Sequence, residues 1–355
     1  MKTNHTIQAS FSPDLIGAWN EILSKEGHCH DLGQTPEWCF QWSETYSNVW
    51  KRLALVESSE SIFPLMIRKE AGLRVLSWIG QRGGMMSDYS GGAGEFGGLL
   101  DALVDFDGWD VANLQFPHWQ QETGGLLKAL LRYEKFLWRV DVSDQSVVID
   151  LPASFDEWLA VLARTPRTQS KRYARKVDEG IARFEILTGE EMIPAVDALI
   201  ANNQTRWDVL RLKKDADFLR KSVCDLQHNT RLFLARLSDD SGCPAACLGY
   251  VSERSVFIHT AGIQREDFHG MAPGVAMYTL LVREMIRRNM RVIDFCPGLE
   301  EYKFRLGGHW VPGHRLMFAR NRRAYCQYRC AESVVGFYHS CRNLAGRIYH
   351  ERKGR

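Results

Sequence analysis

The residues with the clearest chemical potential lie between positions 259 and 305. The stretch DFCPGLEEYKFRLGGHW, residues 294–310, carries Asp294, Glu300, Tyr302, Lys303 and Arg305 around a Pro297-Gly298 break. A lysine and an arginine two positions apart suit an anionic ligand such as a phosphate, or a neighbouring acid. Asp294 ends an apolar run, RVIDFC, that reads as a buried strand. A lone carboxylate is costly to bury, so Asp294 calls for a partner, and Lys303 or Arg305 can supply it. Upstream, His259 sits in the apolar run SVFIHTAGIQ. Imidazole exchanges protons near neutral pH, which suits a base in group transfer. Asp294, Glu300 and Asp88 are further proton acceptors. Each has a structural alternative: a strand histidine, an ion pair, a solvated loop.

Those groups need elements to hold them. RLFLARLSD, PAACLGYVSE and SVFIHTAGIQ read as three successive antiparallel strands. They feed the loop REDFHGMAPG, then a helix from about Gly274 to Asn289, then the strand RVIDFC. Gly270 and Gly274 let backbone N–H groups approach a ligand, and Pro273 fits a helix start. A helix N-terminus of this kind suits a pyrophosphate. An ordinary Pro/Gly helix start is the plainer reading.

The remainder is also mixed α and β. Residues 13–25 and 36–46 read as helices. KRLALVES, IFPLMIRKE, LRVLSWIG and WDVANLQF read as strands, as do FLWRVDV and SVVIDL separately. A helix is expected near 122–132. Near residue 150 the pattern restarts with a capping-box signal, Ser154 and Glu157, and a helix from Thr165-Pro166 that should stop at Gly180. Val334, Phe337, Tyr338, Cys341, Leu344, Ala345 and Ile348 form an apolar stripe for a C-terminal amphipathic helix. Three regions are expected: 1–150, 151–320 and a basic tail 321–355. The class is α+β with mixed, largely antiparallel sheets.

Composition excludes several functions. At 355 residues and 45% hydrophobic, the chain can bury a large core. It has no apolar run long enough for a membrane span and no apolar leader at its start, so a cytoplasmic protein is expected. Nine scattered cysteines read as reduced thiols, and no metal-ligand spacing appears. The glycines at 91–98 match no phosphate-loop pattern, and no nucleophile elbow or zinc-protease motif occurs. Two basic clusters stand out: RTPRTQSKRYARK at 164–176, and the tail from Arg320 to Arg355, with nine Lys/Arg against two Glu. They suit phosphates or an anionic surface.

The strand, glycine-bearing loop, helix, strand order resembles the core of the GNAT acyltransferase superfamily. MAPGVA at 271–276 matches the G-x-A part of its loop, with Met271 in place of the usual Gln or Arg. The chain looks more like the CelD/BcsL-like acetyltransferases, relatives of the FemAB aminoacyltransferases. Ala272-Pro273-Gly274 resembles their S-P-G, and Asp294, Phe295, Gly298, Glu300, Tyr302 and Lys303 match a D-F-x-x-G-x-E-x-Y-K pattern. SDY at 87–89, QTRW at 204–207 and the basic helix also resemble that branch.

The resemblance implies tandem GNAT-like units, the second binding the donor. Gly270, Pro273, Gly274, Tyr302, Lys303 and Arg305 would hold acyl-CoA, with Lys303 at the phosphate end. A backbone N–H around Thr260 to Ile263 would support the carbonyl. His259 and Asp294 are the catalytic candidates. Asp88, Tyr89, Trp207 and Glu300 are candidates to line the acceptor pocket. The expected reaction is N-acylation of a small-molecule amine, an amino sugar or a metabolite, without a metal. One alternative is an aminoacyl-tRNA-dependent transferase gripping RNA through the basic helix and tail. Another is a non-catalytic binding protein with the same fold.

Overall fold

The computed structural model describes residues 5–25, 29–81, 90–94, 99–116, 130–131, 136–206 and 213–334. The first half contains β1 (Thr6–Gln8), α1 (Pro13–Leu23), α2 (Pro36–Thr45), β2 (Arg52–Glu57), β3 (Ser61–Glu70) and β4 (Leu73–Trp78). It continues with β5 (Ala93–Gly94), α3 (Leu99–Asp105), β6 (Val111–Phe116) and β7 (Leu137–Asp150). The second half begins with α4 (Phe155–Val161), α5 (Arg164–Asp178), β8 (Arg183–Leu187), α6 (Met192–Arg206) and α7 (Lys213–Asp225). Then come β9 (Leu232–Asp239), β10 (Gly242–Ser252), β11 (Ser255–Ile263), α8 (Pro273–Arg287), β12 (Val292–Pro297), α9 (Glu301–Arg305) and β13 (His309–Ala319). A last helix, α10, covers 322–334.

Local chemistry explains several boundaries. Ser12 caps α1 by accepting the Leu15 N–H at 3.2 Å, with Pro13 in the first turn. Ser154 caps α4 through the Glu157 N–H, and the Glu157 carboxylate reaches back to the Ala153 N–H rather than that of Ser154. Gly180 adopts φ +75° just past α5, a conformation that suits glycine.

All thirteen strands form one sheet, ordered β1-β2-β3-β4-β6-β13-β7-β12-β11-β10-β9-β8, with β5 paired to β3. Only β4–β6 and β11–β12 pair in parallel among the described strands. The α+β class with a mostly antiparallel sheet therefore holds. The sheet is stitched across the halves: β13 lies between β6 and β7, and β12 pairs with the end of β7.

One expectation is corrected here. FLWRVDV and SVVIDL are one fourteen-residue strand, β7. β13 runs alongside the strand, and Ser143 and Asp144 fall at a register shift between its two paired stretches. HWVPGHRLMFA, to which the sequence reading assigned no element, forms β13, and a register shift between Pro312 and His314 accommodates Pro312 and Gly313.

One large core joins α1 and α2 to α6, α7 and one face of β9–β11. A second lies on the other face, beneath α4, α5 and α8. The close approach of α6 to β11 depends on Gly262: a Cβ there would sit 1.9 Å from the Leu199 carbonyl oxygen. Gly262→Ala must push a helix backbone off the strand and is expected to destabilise the fold by about 3 kcal/mol. A lower urea midpoint at unchanged m-value checks this.

Candidate active site

The site is built where β11 and β12 part. Their parallel ladder runs only from Ser255–Val292 to Phe257–Asp294, while β11 continues along β10 to Ile263. Beyond Phe257 the two strands splay, and one side of residues 258–263 turns toward the gap. A cavity of about 530 Å³ lies at its end. Its lining includes Ile263, Arg265, Met271, Gly274, Tyr278 and Tyr302.

The N-terminus of α8 forms one wall. Ala272 is its N-cap residue and has no side-chain cap, and Pro273 opens the first turn. Backbone N–H groups at such a helix start attract anions. Gly274 packs against Ile263, where a Cβ would lie 2.7 Å from Cδ1. Tyr278 and Tyr302 form another wall, stacked with centroids 5.3 Å apart and planes within 6°. Burial, and secondarily the Tyr302 side chain, holds the Tyr278 phenol well above its ordinary pKa.

The loop before α8 is held from α5. Arg172 donates to the Gly270 carbonyl at 2.9 Å, and Lys176 to that of His269. The Gly270 N–H goes to Asp267, with φ +72° at Gly270. Two members of the basic cluster are thus spent on loop carbonyls, a job that composition did not suggest.

His259 occupies a β-bulge. Leu248 faces Thr260 and Gly249 faces Ile258, so His259 is the extra residue of β11. Its Nε2 lies 2.7 Å from Asp31 Oδ1, and Asp31 is fully buried. Asp31 belongs to the first half, more than 200 positions away, where it starts a capping box with Gln34.

The segment 294–305 departs from its sequence reading. Asp294 is buried but does not pair with Lys303 or Arg305; it accepts the Cys296 N–H at 2.8 Å. Cys296 has φ +55°, and this bond ties down that turn. The Lys303 ammonium points inward, to the Phe295 and Gly298 carbonyls at 3.1 Å each and to Glu300 at 2.8 Å. Arg305 pairs with Glu301 on the surface. Tyr302 reaches the cavity, as do Pro273 and Gly274; Gly270 lies on the loop leading to it. Asp88, Tyr89 and Trp207 fall outside the described residues, as do most of the expected 122–132 helix and the C-terminal stripe past Val334.

A splayed parallel pair with a helix N-terminus at its mouth suits acyl transfer of the GNAT type. The sequence agrees: residues 164–304 match the model of the acetyltransferase (GNAT) domain family. Over that segment, less than half of its length, the chain is similar to that family. No curated protein matches it. Among solved structures it is similar to FemX, at 11% identity and TM-score 0.57, over 88% of this chain and 96% of that one. It is similar to L-PGS from Bacillus licheniformis, at 11% identity and TM-score 0.55, covering 92% and 98%. A conserved protein of unknown function from Bacteroides thetaiotaomicron gives 10% identity and TM-score 0.55, covering 89% and 100%. At these identities the likeness is one of fold. Among the described residues no helix is long and apolar enough to cross a membrane, and no group of three metal-ligating side chains occurs.

Proposed function

We propose that this chain moves an acyl group from acyl-CoA to the amine of a small acceptor, an amino sugar or another metabolite, as in the CelD-like branch. The observation that carries the reading is the cavity at the mouth of the β11–β12 splay, walled by the N-terminus of α8. The pyrophosphate sits at Pro273 and Gly274, on the loop that Gly270 shapes. The acyl carbonyl lies along residues 260–263, where a backbone N–H stabilises its developing charge. His259, next in sequence, takes the amine proton. Asp294 serves the turn at Cys296 rather than the chemistry. Asp88, Tyr89, Trp207 and Glu300 remain our choice for the acceptor side. Residues 1–150 and 151–320 act as two GNAT-like units, with 321–355 as a basic tail.

A second reading, transfer from aminoacyl-tRNA, is favoured by the exposed cations of α5. Lys171 and Arg175 both point to solvent, although Arg175 pairs with Glu179. Thermal unfolding separates the two. Acetyl-CoA at a hundredfold excess over its Kd should stabilise the protein by about 2.7 kcal/mol. Charged tRNA should leave the transition unchanged. The reverse pattern at low salt overturns the CoA reading in favour of tRNA.

A further inference from the structure

We propose that Asp31, carried by the first half of the chain, is the positioning residue for His259, so that the catalytic base is a histidine–aspartate dyad assembled across the two halves. The inference rests on the acyltransferase reading above and deepens it.

The geometry is specific. Asp31 is wholly buried, and its carboxylate faces the Gln34 backbone N–H in a capping box without a well-aligned hydrogen bond to it. His259 Nε2 at 2.7 Å is its ion-pair partner, although the contact is bent away from hydrogen-bond alignment. An ionised carboxylate in such a place needs a partner that carries, or can acquire, positive charge. Imidazole provides this on Nε2.

The carboxylate is framed by rigid neighbours. The Asp31 N–H donates to Gln34 Oε1 at 2.9 Å, and Gln34 Nε2 donates to the Gly92 carbonyl at 3.2 Å. One residue earlier, the His30 N–H donates to Ser252 Oγ at 3.0 Å, and the His30 ring meets Tyr250 and Arg231. The segment is thus pinned to the first half at Gly92 and to the second at β10. Asp31 is also felt electrostatically by Cys29 and Tyr250, whose groups burial pushes up to about 11 and about 12. The charged and titratable groups around the dyad are therefore Cys29, His30, Arg231 and Tyr250.

The step balances. The amine nitrogen bonds to the acyl carbon and the carbon–sulfur bond breaks. The proton of the amine passes to the His259 imidazole. The sulfur leaves as thiolate and takes that proton from His259, which restores the base. Asp31 stabilises the imidazolium between those transfers and is not itself consumed, the role that an acid partner of histidine plays in other acyl-transfer enzymes.

The test compares wild type, Asp31→Asn, Asp31→Glu and His259→Gln, each checked for folding by thermal unfolding. Imidazole ¹⁵N shifts of His259 are followed against pH, and CoA release from acetyl-CoA is timed with glucosamine, lysine and spermidine. The dyad predicts that Asp31→Asn lowers the His259 titration midpoint by about one pH unit or more. It also predicts slower CoA release by about 100-fold in that variant, partly restored in Asp31→Glu, with unchanged acetyl-CoA affinity. A His259 midpoint that is the same in wild type and Asp31→Asn overturns the dyad, whether or not any amine reacts. A shifted midpoint with no acetyl-CoA binding and no CoA release leaves the dyad standing and sinks the acyl-CoA reading instead.

Discussion

Replacing His259 with glutamine is expected to slow acyl transfer by about 100- to 10,000-fold, the usual range for a general base. Glutamine is the informative substitution because its amide can still donate to Asp31. Alanine would leave a buried carboxylate facing nothing, and the resulting instability would obscure the kinetics. Donor affinity should not change, since His259 is absent from the cavity lining around Pro273 and Tyr302. Single-turnover release of CoA from acetyl-CoA, with the amine in excess, separates the two quantities. A rate within a few-fold of wild type would show that the amine loses its proton elsewhere.

The second large effect concerns Lys303 and is one of stability. The residue is 3% exposed, yet it carries an ammonium group. Two carbonyls at 3.1 Å, a longer contact to the Cys296 carbonyl at 3.5 Å, and Glu300 surround it. Glu300 is mostly exposed, so its half of the ion pair is screened and contributes little. The weight falls on the carbonyls, each of which loses about 1–3 kcal/mol when left buried and unpaired. Lys303→Met should therefore lower stability by about 3 kcal/mol, seen as an earlier chemical denaturation midpoint. Donor affinity should also weaken, because the neighbouring Tyr302 forms part of the cavity. Unaltered stability with a selective loss of CoA affinity would restore direct phosphate contact as the role of this lysine.

That lysine shows where sequence reasoning stops. Its place after a strand, within a Tyr-Lys-Phe segment, singled it out as a candidate for the donor phosphate. The carbonyls around its ammonium group were not legible, because side-chain direction depends on the short helix α9 and on the turn at Gly298. Glycine there adopts φ +126°, and Cys296 is also left-handed. Those two dihedrals turn the Phe295 and Gly298 carbonyls toward the lysine. Charge spacing along a chain does not encode such a turn.

Asp294 illustrates the same limit. Its burial was legible from the apolar run around it, and so was its need for a partner. The structure gives it the backbone N–H of Cys296, two residues on. The basic helix α5 was legible as a helix, with its stop at Gly180. Its inward work, through Arg172 and Lys176 on the donor loop, depends on how α5 packs beside α8.

The sequence by itself determined the local elements of the second half: three antiparallel strands, a glycine- and proline-marked helix start, and a strand after it. Apolar periodicity and turn residues act over a few positions, and there they sufficed. Tertiary structure alone decided the rest. It put β13 between β6 and β7, making one sheet of two halves. It opened the cavity by ending the β11–β12 ladder at Phe257. It also brought Asp31 to His259 across 228 positions, 2.7 Å apart. Contacts at that separation are fixed by how sheets and cores close, because only the closed core removes water from both side chains at once.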